Sequence, residues 1–173
     1  MVLVSYPLVS DKGESRAEIL LALPETVSVL FVVGDRDKMC PLSELEEVRE
    51  KMEARSWLCV VKGADHGMNL LASNKDGEEH VGQMTGRVAA EWIMDGGKDA
   101  AKSIRDMEFR KGEGEQEGAV VVSEWREKGE ENVEVVRKSD DKTSQPQGTE
   151  QEVPEQKEKD GRRRSSRKRT KTK

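Results

Sequence analysis

Two short polar turns hold the residues best suited to proton-transfer chemistry. One reads Gly34-Asp35-Arg36-Asp37-Lys38-Met39-Cys40-Pro41 and the other Gly63-Ala64-Asp65-His66-Gly67. Each follows an apolar run that reads as a β-strand, and in an open parallel sheet the reacting groups gather beyond the carboxyl ends of the strands. If those two strands are neighbours, Asp37 and His66 come within hydrogen-bond reach, and a single turn–helix–strand unit fits between them. A carboxylate so placed fixes the imidazole tautomer and stabilises the imidazolium formed during general-base work. The plain structural alternative is that Asp37 caps the following helix while His66 tethers a turn.

Other polar residues carry less. Asp35 stands closer to the strand end and is expected to pair with a basic side chain. His80, the second histidine, falls on a helix and reads as a surface residue. Cys40 lies near a helix start, where a thiol can be activated, but a buried structural thiol is the expectation. Cys40, Cys59, His66 and His80 have the residue types of a metal site, yet their spacing matches no usual zinc pattern. No metal and no cofactor is expected. Two cysteines make no disulfide framework, so a reducing compartment is the default.

The elements that must position these residues alternate between strand and helix. Val2–Ser5 is a short continuous apolar run that suits a strand buried on both faces. Ser15–Leu23 is helical in composition, with Ile19, Leu20 and Leu23 as its apolar stripe, and Pro24 stops it. Val27–Val33 is β-branched almost throughout and is the best strand in the chain. Leu42–Ala54 predicts an amphipathic helix with Leu42, Leu45, Val48 and Met52 on one face. Pro41 suits its first turn, Ser43 and Glu46 have capping-box spacing, and Arg49, Lys51 and Arg55 complement its C-terminal dipole. Trp57–Val61 is a third strand, ended by Gly63. A last helix over about 77–94 presents Val81, Met84, Val88 and Trp92 on one face. The order β-α-β-α-β-α, with connections of helix length, predicts right-handed crossovers and a parallel sheet flanked by helices. The fold class is therefore α/β. Three strands make a small core, and the first run begins at Met1, so residues 1–94 read as the C-terminal part of a larger sheet.

At the turn residues the chain resembles the α/β-hydrolase superfamily, in which the triad order is nucleophile, acid, histidine. That family places the acid in a Gly-x-x-Asp turn, here Gly34 and Asp37, and the base in a Gly-x-x-His turn, here Gly63 and His66. A longer string narrows the resemblance: Ser5-Tyr6-Pro7-Leu8, Arg16, Leu30-Phe31-Val32, Gly34-Asp35-Arg36-Asp37, Cys40-Pro41, Leu45-Glu46, Lys51-Met52 and Asp65-His66. These residues resemble the dienelactone-hydrolase-like branch. It contains the testis-expressed 30 protein and the hydrolase-like subunit 3 of the nuclear NSL histone-acetyltransferase complex. The resemblance covers residues 1–94. It implies Asp37 as the acid position and His66 as the base position. The family's Gly-x-Ser-x-Gly nucleophile elbow occurs nowhere in the sequence, and its oxyanion-hole loop, which lies earlier still, is missing. Ser5 follows a strand but lacks the flanking glycines, and Tyr6-Pro7 cannot turn into a helix. An acid and base without nucleophile or oxyanion donors should have negligible esterase activity.

Composition changes after Met94. Across 173 residues, 34% are hydrophobic, 3% aromatic and 38% charged, against usual shares of about 45–50% apolar and 25% charged. Residues 95–105 read as a fraying helix or linker, and 106–160 as an acidic disordered tail whose Val120–Val122 and Val133–Val136 are isolated apolar clusters. Such a segment buries too little to offset roughly 1–2 kcal/mol of ordering entropy per residue. The segment 161–173 is basic: Arg162, Arg163, Arg164, Arg167, Lys168, Arg169, Lys171 and Lys173, with no acid. Removing these eight from 30 basic and 35 acidic side chains leaves 22 against 35, so residues 1–161 carry −13 and the overall −5 is a mean. The basic run reads as a nuclear-import signal, with weak non-specific contact to nucleic-acid phosphates as a companion reading and a solvated tail as the bland one. Ser165 and Ser166 follow arginines and suit a basophilic kinase.

No apolar run reaches the roughly 18–20 residues of a membrane-spanning helix, and no secretory signal is visible at the N-terminus. The expected function is that of a partial α/β-hydrolase-like binding or scaffold module, nuclear or otherwise cytoplasmic. The resemblance implies a link to an NSL-like histone-acetyltransferase complex. The alternative is a serine hydrolase of carboxylester or dienelactone type whose nucleophile half is missing from this chain.

Overall fold

The computed structural model describes residues 1–10, 12–71, 75–99, 101–112, 118–130 and 134–135. The chain divides into two units, Met1–Asp141 and Lys142–Lys173. The described residues all fall in the first, so the basic segment and most of the expected acidic tail lie outside them.

The first unit is an α/β sheet with flanking helices. Its elements run β1 (Val2–Val4), α1 (Ala17–Leu21), β2 (Ser28–Gly34), α2 (Leu42–Lys51), β3 (Arg55–Val61), α3 (Lys75–Met94), β4 (Ile104–Arg110), β5 (Ala119–Ser123) and β6 (Glu134–Val135). Six strands form one sheet in the order of the chain, β1-β2-β3-β4-β5-β6. The first four are mutually parallel, and β5 and β6 add antiparallel.

Burial explains the sequence pattern. Along β2, Val29, Phe31 and Val33 face one layer while Leu30 and Val32 face the other, and all five are fully buried. A strand covered on both faces needs no polar side, hence the continuous apolar run. The first layer is closed by α1 and α2, with Leu20, Leu45, Val48 and Met52 packed on Val29, Phe31, Leu58 and Val60. The second is closed by α3, whose Val81, Met84, Val88 and Trp92 meet Leu30, Val32, Trp57 and Cys59. Trp57 and Trp92 meet edge to face with centroids 5.4 Å apart, the geometry that aromatic quadrupoles favour.

Five expectations need correction. The sheet does not stop at Met94, because β4 and β5 occupy stretches expected to be linker and disordered tail. In β4, Met107 and Phe109 alternate with Asp106 and Glu108, so one face joins the α3 layer while the other carries charge. Val120 and Val122 then bury against the same layer through pairing with β4. Neither strand could hold alone: β4 takes its backbone partners from the edge of β3, and β5 takes its own from β4. Second, β1 is not buried on both faces: its only strand neighbour among the described residues is β2, and Val4 is 48% exposed. Third, Ile19 drops out of the expected stripe because it points outward, while Leu20 is buried and Leu23, just past the helix end, packs partly buried on the same layer. Fourth, Ser43 and Glu46 form no capping box; Pro41 occupies the N-cap without a side-chain bond, and Glu46 pairs with Lys128 instead. Fifth, the sheet holds a third crossover beyond the two expected, and the three cannot all share one hand. The strand order advances in one direction, yet α2 and α3 pack on opposite faces, so the β2-α2-β3 and β3-α3-β4 units have opposite hands.

Candidate functional site

Parallel pairing of β2 with β3 carries Gly34 opposite Val61, which brings the two polar turns side by side at the carboxyl end of the sheet. Backbone bonds lock them: Asp35 N–H donates to the Val61 carbonyl at 3.1 Å and Arg36 N–H to the Ala64 carbonyl at 3.0 Å. The Asp35 carboxylate accepts the Gly63 N–H at 2.7 Å. That is a correction of the expected ion pair, and it arises because Gly63, at φ +76, aims its N–H at the neighbouring turn. Glycine at position 34 has a steric cause: a Cβ there would lie 2.2 Å from the Ala64 carbonyl oxygen.

Asp37 is buried at the base of this junction, with no side-chain exposure. Its Oδ1 accepts the Met39 N–H at 2.8 Å and the Cys40 N–H at 3.1 Å, which holds the turn ahead of α2. Its Oδ2 lies 2.9 Å from His66 Nδ1. The structure therefore brings Asp37 and His66 together, and one carboxylate both shapes its own turn and orients the imidazole. With Nδ1 donating to Asp37, the neutral ring carries its proton there, and Nε2 is left as the acceptor. The His66 side chain is 36% exposed.

The loop that presents His66 is built by its neighbour. Asp65 Oδ1 accepts the N–H groups of Gly67 at 2.8 Å and Asn69 at 3.0 Å, and the Asn69 amide donates to both carboxylate oxygens. These bonds hold the Asp65 carboxyl below the usual carboxylate range, the Asn69 side chain contributing most. Met68 takes the left-handed conformation, φ 60, that this tight turn requires. A side chain at Gly67 would collide with the Asn69 amide at 2.7 Å.

The remaining candidates sort themselves by burial. Cys40 and Cys59 are both fully buried free thiols. Burial pushes each up to about 12, assisted for Cys40 by the negative charge of Asp37. Neither is an activated nucleophile. His80 is only partly exposed, its ring 6.1 Å from that of Phe109 on β4; the expectation of a surface histidine missed that strand. Ser5, at the end of β1, has φ 49 and a buried hydroxyl without a partner among the described residues. This is the left-handed backbone a nucleophile elbow uses, but no helix follows until Ala17, so the strand-to-helix turn is not formed. Residues Arg162, Arg163, Arg164, Arg167, Lys168 and Arg169 lie outside the described residues. Among the described residues no helix is long and apolar enough to cross a membrane.

One residue of consequence escaped the reading of the sequence. Arg49, assigned to the dipole of α2, turns inward and is 3% exposed. Its partners, Ser56 and Ser103, come from the starts of β3 and β4, and no local pattern signals them.

The fold and this pair of side chains define a class: an α/β protein with a mostly parallel sheet and an aspartate–histidine pair at the carboxyl ends of adjacent strands. No family model matches the chain, and no solved structure matches it.

Proposed function

We propose that this chain is an α/β-hydrolase-like protein that works as a binding or scaffold module and does not hydrolyse esters by itself. The observation that supports this reading is the Asp37–His66 pair, bonded at 2.9 Å in a sequence without a Gly-x-Ser-x-Gly elbow. An oriented base with no nucleophile to deprotonate retains the geometry of a hydrolase site and lacks its chemistry. By the resemblance of residues 1–94, the proposed partner is a nuclear NSL-like histone-acetyltransferase complex, and the basic run Arg162–Lys173 is proposed as the import signal that takes the chain there. The same run makes weak, salt-dependent contacts with nucleic-acid phosphates.

A fluorophosphonate probe on the native full-length protein tests the catalytic half of the proposal. The expected result is no labelling; labelling that His66→Ala abolishes would overturn it. A fluorescent fusion with and without residues 161–173 tests the targeting half, and equal nuclear enrichment would refute import by this segment. Co-purification of acetyltransferase subunits with the tagged protein tests the partner.

A second reading has one observation in its favour. His66 Nε2 has no hydrogen-bond partner among the described residues, and the outer side of β1 pairs with no described strand. A serine nucleophile on a strand added at that edge would complete a carboxylesterase of dienelactone-hydrolase type. A transcript encoding Gly-x-Ser-x-Gly upstream of Met1 would favour this reading over the scaffold.

A further inference from the structure

Every serine and threonine in the basic run stands three residues after an arginine. Arg162 precedes Ser165, Arg163 precedes Ser166, Arg167 precedes Thr170 and Arg169 precedes Thr172. The other 15 serines and threonines of the chain have no arginine at that position. The pattern is therefore confined to residues 161–173, which lie outside the described residues and belong to the unit Lys142–Lys173. The segment has no apolar side chain and no acid. It offers a core nothing to bury, and no carboxylate of its own competes for the arginines.

Among the described residues, hydroxyls hold the fold together. Ser10 Oγ accepts the Glu14 N–H at 3.1 Å, Ser56 Oγ accepts from Arg49 at 3.2 Å, and Ser123 Oγ accepts the Asp106 N–H at 2.9 Å. Ser56 and Ser123 are also buried, and neither can enter another protein's active site without unfolding. The arginine spacing thus marks a different set of hydroxyls from those the sheet employs. In an extended peptide three residues span about 10 Å. A guanidinium at that distance can be gripped by carboxylates beside a phosphoryl-transfer site through two parallel N–H···O bonds.

We propose that Ser165, Ser166, Thr170 and Thr172 are phosphorylated by an arginine-directed serine/threonine kinase, and that this modification switches off the phosphate contacts of the basic run. The switch rests on the reading of that run as an import segment that touches nucleic-acid phosphates; the modification sites do not. In each transfer the hydroxyl oxygen bonds to the γ-phosphorus of magnesium ATP as the bond to the β,γ-bridging oxygen breaks. ADP leaves, and the hydroxyl proton passes to the kinase's catalytic carboxylate. Each phosphate carries about −1.5 to −2 at pH 7, so four of them set about −6 to −8 against the eight basic side chains of the segment. Full modification therefore removes most of the charge that attracts a phosphate backbone.

Top-down mass spectrometry with electron-transfer fragmentation locates phosphate on the native protein isolated with phosphatase inhibitors. Phosphate at these positions is expected, and its absence from all four would overturn the proposal. The full chain is also treated with magnesium ATP and cyclic-AMP-dependent protein kinase, an arginine-directed enzyme. Arg163→Lys and Arg167→Lys keep the charge and should slow transfer to Ser166 and Thr170 respectively by about ten-fold, because an ammonium does not replace a bidentate guanidinium. Unchanged rates in both variants would overturn recognition through arginine. Binding of a DNA duplex is then measured against salt. The unmodified chain should give a slope of log affinity on log salt of about −0.9 for each phosphate contacted, and the fully phosphorylated chain a slope near zero with affinity at least about a hundred-fold lower. Equal affinity before and after modification would overturn the switch. No binding by the unmodified chain would instead refute the phosphate-contact reading and the switch with it, while the mapped sites would stand.

Discussion

A methyl group on Gly34 would sit 2.2 Å from the carbonyl oxygen of Ala64. That contact sets the distance between the two turns that hold Asp37 and His66. Gly34→Ala must therefore push the turns apart or bend β2. We expect a loss of about 1–3 kcal/mol, the usual cost of overpacking, measured by urea unfolding. The Asp35–Gly63 bond should go with it, seen as faster exchange of the Gly63 amide.

Replacing Asp37 separates its two tasks. Asp37→Ala leaves the Met39 and Cys40 N–H groups without an acceptor, and a buried donor so abandoned costs about 1–3 kcal/mol. Asp37→Asn keeps an acceptor for them. If its amide group faces His66, the ring must accept at Nδ1, and the neutral imidazole switches to the Nε2-protonated tautomer. Nitrogen chemical shifts of His66 report the switch directly. An unchanged tautomer in Asp37→Asn would mean that the carboxylate does not set it.

The two thiols give a pH signature with a defined sign. Cys40 and Cys59 rise from 9.0 to about 12 because burial disfavours the thiolate. A raised folded value means that this stabilisation is full below pH 9, the unfolded value, and is lost as pH climbs toward the folded value. Between pH 9 and 12 each thiol should subtract about 1.4 kcal/mol per pH unit at most. Unfolding midpoints should fall over that window, and Cys→Ala variants at both positions should flatten the fall. In the native state at pH 8 neither thiol should react with a disulfide reagent until the protein unfolds.

Truncation at two points distinguishes residues the sheet needs from residues it can lose. A chain ended after Met94 loses β4 and β5, and with them Met107, Val120 and Val122, each at most 1% exposed. At about 1.5–3 kcal/mol per buried side chain, that loss matches the 5–15 kcal/mol of a typical domain. The 94-residue piece should show no cooperative thermal transition by circular dichroism. A chain ended after Asp141, the boundary of the first unit, should keep one.

The legible and the hidden features of the fold differ in how local their signals are. The pairs Leu45–Val48 and Val81–Met84–Val88 announce their helices because the period that buries them lies within a few residues. The turns at Gly34 and Gly63 announce Asp37 and His66 because a break after a β-branched run marks a strand end. β4 was hidden: Arg105, Asp106, Glu108 and Arg110 outnumber its apolar residues, and only a neighbouring β3 edge makes the alternation of Met107 and Phe109 worth burying. Arg105 itself is buried, stacked 4.5 Å over Trp125 and donating to the Ser123 carbonyl, so a charge in the sequence did not mark an exposed side chain. Arg49 was hidden for the same reason, since its Ser103 partner lies 54 residues away. Both misreadings come from treating a cation as solvent-facing before its distant acceptors are known.

The strand order has a consequence for how the molecule is made. Each strand pairs with the one that precedes it in the chain, from β1 through β6. A nascent chain emerging from the ribosome can therefore add every new strand to an edge already present, with no strand waiting for a later one to be inserted between it and its neighbour. Growth proceeds from one border only, and each addition moves the unpaired edge outward from β2 to β3, β4 and β5. The border at β1 is the exception: it precedes the other described strands, and none of them covers its outer side. That unpaired backbone is a place where a further strand can attach.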